Sequence, residues 1–370
     1  MRELLQLKLY LLHFFLVSGT GYTRNFVANI VKRIIGKPIY FSQDNIFFRD
    51  YVQSLFGFKQ GPKITSRGWS KTEGLGSQAR LTMCAINFAR VFGLTYVHTP
   101  FSEIAHADRP MESWVKAWEE EFNLGAGEIP AERDDHQILD FAQFFRRYRY
   151  LDTVFNITSK DFQRKYYMNK HPRINPQLTV GVHVRRGDVK GQKSALDTFL
   201  AGQWTELTNI STTVKQLKNI LDKNNVNYRV QVFSEGSRSE FRELEHLGIE
   251  LFLNADALWT VRELIEADIL VMAKSLFSYV AALISDGIKL YEPWTGDIGG
   301  HPSHPPLKNW LVRPPEGGFD ERLFVIQLEA MMIQSNFGSL QARHRFFKRG
   351  RERDRPPNNE LERRTSNPPP

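Results

Sequence analysis

The sequence predicts an α/β protein with two Rossmann-like domains built on parallel sheets, and three observations predict it. A chain of 370 residues, 41% hydrophobic and 12% aromatic, is long and apolar enough for two packed cores. From Leu178 onward, apolar runs of strand length alternate with helical patterns, the mark of β-α-β units around a parallel sheet. Before that, the stretch from Gly74 to Phe101 holds a glycine loop, a helix and a strand in the same order.

The chain divides into four segments. Residues 1–60 are amphipathic and basic, 61–175 form an N-terminal α/β domain, 176–340 a C-terminal Rossmann-like domain, and 341–370 a disordered basic tail ending in prolines. The net charge of +8 sits at the ends. Residues 1–40 and 341–370 each carry roughly five excess positive charges, and the middle is slightly acidic. A nucleic-acid groove needs a basic stripe on the folded surface, so none is expected. The apolar run from Leu4 to Val17 is interrupted by Gln6, Lys8 and His13 and is shorter than the roughly 20 residues of a spanning helix. It leaves three readings: a signal-like segment, interfacial helices on anionic lipid, or a helix packed on the protein's own surface. The corresponding compartments are cytoplasmic or membrane-peripheral, or the lumen of the Golgi or endoplasmic reticulum. Cys84 is the sole cysteine, which excludes an intrachain disulfide and a cysteine zinc cluster and favours a reducing compartment. The sequons at Asn156 and Asn209 bear on a secreted protein only.

Taken in order, Gly74–Gln78 reads as a loop opening a helix at about Ser77, and "LTYVHTPF" as the strand after it. "MESWVKAWEEEFNLG" is helical, with Trp114, Trp118 and Phe122 at four-residue spacing, a stripe that faces the core or, as the alternative, holds a sugar. The aromatic and basic stretch from Phe141 to Lys170 is helical and crosses to the second domain near "HPRINPQ". The second domain then runs strand "LTVGVHV", helix "TTVKQLKNILDKN", strand "YRVQVFS", helix "SRSEFRELEHLG", strand "IELFLN", helix "LWTVRELIEA", strand "DILVMA", helix "SLFSYVAALIS" and strand "IKLYEPW".

Two stretches carry chemistry. The loop "EGLGSQ" can bring backbone N–H groups and a helix N-terminus to an anion, but a plain capping turn has the same composition. It matches neither the dinucleotide fingerprint nor the lysine-bearing P-loop. In "HVRRGD", a buried strand runs into Arg185, Arg186 and Asp188 at its C-terminal end, where ligands of open α/β sheets bind. Adjacent arginines point opposite ways, so one can grip a diphosphate while the other holds the loop, pairing with a carboxylate such as Asp188. A structural ion pair at a domain edge is the alternative. His301 and His304 lie in a proline-rich loop and do not form a metal site.

These residues resemble a known family. "GVHVRRGD" is similar to the first motif of the fucosyltransferase superfamily of α1,2-, α1,6- and protein O-fucosyltransferases, closest to the α1,2 group. "VQVFSEGS", "ELIEADILVMAKSLFSYVAALIS" and "GLGSQ" resemble three further blocks in the expected order, from Thr72 to Ser285. The resemblance implies a GT-B arrangement of two facing Rossmann-like domains and inverting, metal-independent transfer of L-fucose from GDP-fucose to a glycan or glycoconjugate acceptor, without a cofactor.

Carried onto this sequence, the resemblance makes Arg185 the stabiliser of the leaving phosphate, with Arg186 secondary, and puts His183 near the nucleotide. It brings Ser234 and Glu235 to the guanosine, and Gly74, Gly76, Gln78, Asp268, Ser275 and Ser278 to the donor pocket, with a cap or loop anchor as the alternative for Asp268. Two departures stand out. Ser77 replaces the asparagine frequent in the N-terminal loop, and Lys193 occupies the position of the glutamate base of the α1,6 group. The base is then absent, is Asp188, or comes from the N-terminal domain. Transfer of another sugar, and a non-catalytic descendant that binds nucleotide-sugar or glycan, are the alternative functions.

Overall fold

The computed structural model describes residues 63–66, 74–92, 94–131, 138–141, 152–170, 177–189, 203–293 and 306–338. The basic N-terminal segment and C-terminal tail, Lys193, His301 and His304 lie outside the described residues, as does the Asp188 side chain. The chain divides into two compact units, one through Phe319 and one from Asp320. The first contains two parallel sheets, and the second contains helix α8 (Glu321–Gly338). The fold is α/β with parallel sheets, as the sequence predicts.

The first sheet has four short strands: β1 (Lys63–Thr65), β2 (Thr95–His98), β3 (Ile129–Pro130) and β4 (Leu139–Asp140), in the order β3-β2-β1-β4. All its pairs are parallel. Helix α1 (Leu75–Phe92) joins β1 to β2, and α2 (Met111–Phe122) follows β2. Helix α3 (Asp152–Tyr166) leads towards the second sheet. The sequence reading does not name β1, β3 or β4, because strands of two or three residues are too short to display a period. Helix α1 also begins two residues earlier than expected, at Leu75.

The second sheet has six parallel strands. They are β5 (Leu178–His183), β6 (Tyr228–Ser234), β7 (Glu250–Leu253), β8 (Ile269–Val271), β9 (Ile288–Tyr291) and β10 (Leu311–Val312). Their order is β10-β9-β8-β5-β6-β7. The chain builds outward from β5 to one side, then returns and builds from β8 to the other, the doubly wound Rossmann order with its switch point between β5 and β8. β5 is central and buried along Thr179–Val182, as its β-branched run suggests, and pairs with β6 over six residues. Helices α4 (Leu207–Lys223), α5 (Arg242–Glu245), α6 (Ala257–Glu266) and α7 (Leu276–Ile284) connect the strands. α4 buries Ile210, Val214, Leu217 and Leu221, the spacing of one helical face, and leaves its lysines outside.

One hydrophobic core runs through both sheets. Helices α1 and α3 from the N-terminal half pack against α7 from the C-terminal half, and the core cluster is continuous from Ile64 to Trp310. Trp114, Trp118 and Phe122 are buried in it as expected, with Trp118 edge-on to Phe277 of α7. Charges clamp the same seam. The wholly buried Glu121 carboxylate of α2 meets Arg262 of α6, with 2.6 Å to its Nε, and also Lys170 and the Tyr166 hydroxyl. Arg109 bonds Asp256 at 2.8 Å and lies over the Trp114 ring. Among the described residues no helix is long and apolar enough to cross a membrane.

Candidate functional site

Parallel strands all end on one edge, and the helices that follow them present their N-termini to that edge. In the second sheet the crevice at this edge lies between the ends of β5 and β8. β5 is followed by Val184, Arg185 and Arg186 and then by a 3₁₀ turn at Gly187–Val189. β8 is followed by Met272, Ala273 and Lys274, and Ser275 caps α7.

His183 ends β5 opposite Phe233 of β6, and its ring stacks at a tilt on Phe277, with centroids 5.6 Å apart. Its buried Nδ1 has no hydrogen-bond partner among the described residues. Burial, with Arg185 nearby, lowers its pKa to about 3, so the ring is neutral at physiological pH. A neutral imidazole with a buried unpartnered nitrogen at the switch point can accept from or donate to a ligand, according to its tautomer.

The two arginines part company. Arg185 is half-buried at the crevice. Arg186 is 4% exposed and donates to the carbonyls of Arg185, 2.8 Å, and Thr205, 3.1 Å. Its guanidinium lies 3.8 Å from the Trp204 ring centroid, and burial lowers its pKa. Arg186 holds the loop through carbonyls and an aromatic face, while Asp188, the carboxylate expected to pair with it, has its side chain outside the described residues.

Gly187 has φ +63, and a Cβ there would overlap the Glu235 carboxylate. The positive φ is what favours glycine at this position. The contact brings the exposed Glu235 against the arginine loop. Ser234 at the end of β6 donates to the Val184 carbonyl at 2.7 Å, tying the two strand ends together. His183, Arg185, Gly187, Ser234 and Glu235 therefore share one edge.

Other expected donor residues sit elsewhere. Asp268 lies where β5 and β8 begin, accepting from the Thr179 backbone N–H at 2.7 Å and the Thr179 hydroxyl at 2.8 Å. It is four strand positions from the level of His183, roughly 13 Å, and anchors the opposite edge. Ser278 is fully buried and donates within its own turn, to the carbonyls of Ala273 and Ser275. Ser275 spends its hydroxyl as the N-cap, accepting from Phe277 N–H at 3.2 Å. The Ser278 donor is thus spent within the helix turn, whereas Ser275 serves the helix as an acceptor.

The N-terminal loop is also corrected. A Cβ on Gly76 would lie 2.6 Å from the Leu276 carbonyl carbon and the Phe277 nitrogen, so this glycine permits backbone contact between α1 and α7. Gly74 accepts from the N–H groups of Ser77 and Gln78, as a helix start does. Gln78 is buried and donates to the Glu103 carbonyl at 2.5 Å. The loop is a helix start at a tight seam, the capping alternative.

Sequence reading missed a charged wall beside the crevice. Glu292, directly after β9, is 2% exposed, with Oε1 3.1 Å from Lys274 Nζ. Its Oε2 is held by Arg313 and by the Thr205 hydroxyl at 3.2 Å. Lys274 follows an apolar strand as Arg185 does, which is the signal that could have found it. Arg313 lies after β10, a two-residue strand without a pattern. Among the described residues no group of three or more His, Cys, Asp or Glu is arranged to hold a metal ion. Cys84 is buried, and burial pushes its thiol up to about 11, which makes it inert.

No family model and no curated protein matches the chain. Similar solved structures include the ADP-heptose LPS heptosyltransferase II of E. coli, 14% identical with a TM-score of 0.26, over 48% of this chain and 52% of that one. A Listeria monocytogenes protein assigned as a UDP-N-acetylglucosamine 2-epimerase is 10% identical over 71% of this chain and 67% of that one, TM-score 0.25. POFUT1 in complex with GDP-fucose is 12% identical over 62% of this chain and 71% of that one, TM-score 0.22. The chain spans about half the length of the heptosyltransferase, and none of these likenesses assigns it to a family.

Proposed function

We propose that the chain is a glycosyltransferase of GT-B type that moves L-fucose from GDP-fucose to a glycan or glycoconjugate acceptor, with inversion and without a metal. One observation carries the reading: the strand that ends in His183, Arg185 and Arg186 is the first strand of a doubly wound sheet and borders its switch point. The likeness of "HVRRGD" and its companion blocks to the fucosyltransferase superfamily supports the choice of donor.

In this reading the diphosphate lies in the β5–β8 crevice. Arg185 faces the phosphate on which negative charge grows as the glycosidic bond breaks, a fixed cation where water would otherwise have to reorganise. Arg186 acts through Arg185, whose carbonyl it grips. His183 stays neutral and offers its buried nitrogen to the nucleotide. Glu235, held against Gly187, accepts from the amino edge of guanine. Asp188, next along the loop, is the candidate to take the acceptor proton.

Calorimetric titration with GDP-fucose, GDP-mannose, UDP-galactose and NAD in EDTA tests the donor. Micromolar binding confined to the GDP ligands, tightest for GDP-fucose, is the expected result; no binding by any of them sinks the reading. Turnover of GDP-fucose that persists in EDTA supports the metal-free reaction, and strict dependence on manganese or magnesium overturns it. Selective binding without turnover on a broad acceptor panel favours a non-catalytic nucleotide-sugar receptor, the outcome to which Lys193 in the base position points.

A further inference from the structure

We propose that Lys274 is a second phosphate-binding cation of the crevice, acting across the β5–β8 gap from Arg185; this rests on the nucleotide-sugar reading above. The last paired residues of the two strands are Val182 and Val271. Three residues further along each segment come Arg185 and Lys274, so both cations lie in the loops that follow the two strands bordering the switch point.

The wall behind Lys274 is charged in a way that a structural ion pair does not require. Two cations, Lys274 and Arg313, share the single carboxylate of Glu292. Arg313 is sealed from solvent and Glu292 nearly so, while the Lys274 side chain keeps 11% of its surface. Arg313 and the Thr205 hydroxyl already occupy one carboxylate oxygen. Glu292 is therefore neutralised without the lysine. Among the described residues the triad carries one surplus positive charge in a poorly solvated wall, which costs stability unless an anion approaches. Lys274 is the only member of the triad that reaches the surface. A diphosphate fits that charge, with the planar Arg185 fork on one part and the compact ammonium on the other.

The test compares GDP with GMP by calorimetry on the whole chain, for wild type, Lys274→Gln and Lys274→Arg. Glutamine can still donate to Glu292 and leaves a one-to-one Glu292–Arg313 pair, so K274Q is expected to melt at or above the wild-type temperature. Its preference for GDP over GMP should fall by about 10-fold or more, the loss of a charge-assisted contact, whereas K274R should stay within about threefold of wild type. A lower melting temperature in K274Q with the GDP preference intact makes Lys274 a structural partner of Glu292 and overturns the proposal alone. Should K274Q fail to fold, Glu292 needs the lysine for its own neutralisation and the proposal falls. If the wild type binds neither nucleotide, the donor reading itself falls, and Lys274 with it.

Discussion

The two edges of the six-stranded sheet are made by the same strands and treat polar groups in opposite ways. Where strands begin, the hydrogen bonds close on the protein itself. Asp268 takes both donors of Thr179, its carbonyl accepts from Ile288 at 2.8 Å, and Lys289 donates to the Ser285 carbonyl at the end of α7. Burial brings Lys289 down to about 8, and its ammonium donates to that carbonyl. Where strands end, a histidine nitrogen lacks a partner among the described residues and two cations share a carboxylate. The difference teaches that perturbed or buried charge does not mark a site by itself. Placement at the edge that helix N-termini and the switch point define is what separates a ligand-ready group from an anchor.

The largest expected effect lies at the ligand edge. Arg185→Ala should lower kcat/KM for fucose transfer by about 100-fold, the loss of a charge stabiliser acting in the transition state. An unchanged rate would mean that this edge does no chemistry through Arg185.

The opposite edge should respond in stability alone. Asp268→Ala leaves the Thr179 N–H and hydroxyl without their acceptor and should cost about 2–3 kcal/mol in denaturant unfolding. GDP affinity should hold. A tenfold loss of GDP affinity at preserved stability would erase the distinction between the edges.

Gly76→Ala probes the seam beneath the crevice. A methyl group there must push α1 away from the Leu276 and Phe277 backbone, at a cost of about 2 kcal/mol. Wild-type stability in this variant would show that the close approach is not a constraint.

The smallest effect sharpens the comparison by pH. His183 has its pKa lowered from 6.5 to about 3, so between those values the unfolded chain binds a proton that the folded chain refuses. Its share of stability is complete above about 6.5 and is lost as pH falls towards 3. The melting temperature of His183→Gln should therefore fall less than that of wild type between pH 7 and pH 5. Parallel curves would place a protonated imidazole in the folded protein.

Much of the second sheet was legible because its strands alternate with amphipathic helices and the two longest, β5 and β6, carry a pattern of their own. "LTVGVHV" and "YRVQVFS" became β5 and β6 within a residue. The first sheet was not, since Lys63–Thr65, Ile129–Pro130 and Leu139–Asp140 are strands only by virtue of their partners. The same limit hid β10, and with it Arg313. Motif residues were legible as a set but not by role. Ser278 and Asp268 flank the crevice in sequence, yet one is sealed inside a helix turn and the other faces the far edge.

The sequence by itself determined the α/β class, the alternation that makes the second sheet parallel, and the delivery of His183 and two arginines to a strand end. Those follow from local rules: period, propensity and the charge that ends an apolar run. Tertiary structure alone decided which arginine is buried, that Gly76 serves a helix contact, and that Glu292, Arg313 and Lys274 meet. Such facts depend on distances between residues far apart in the chain, which packing sets and no local pattern records.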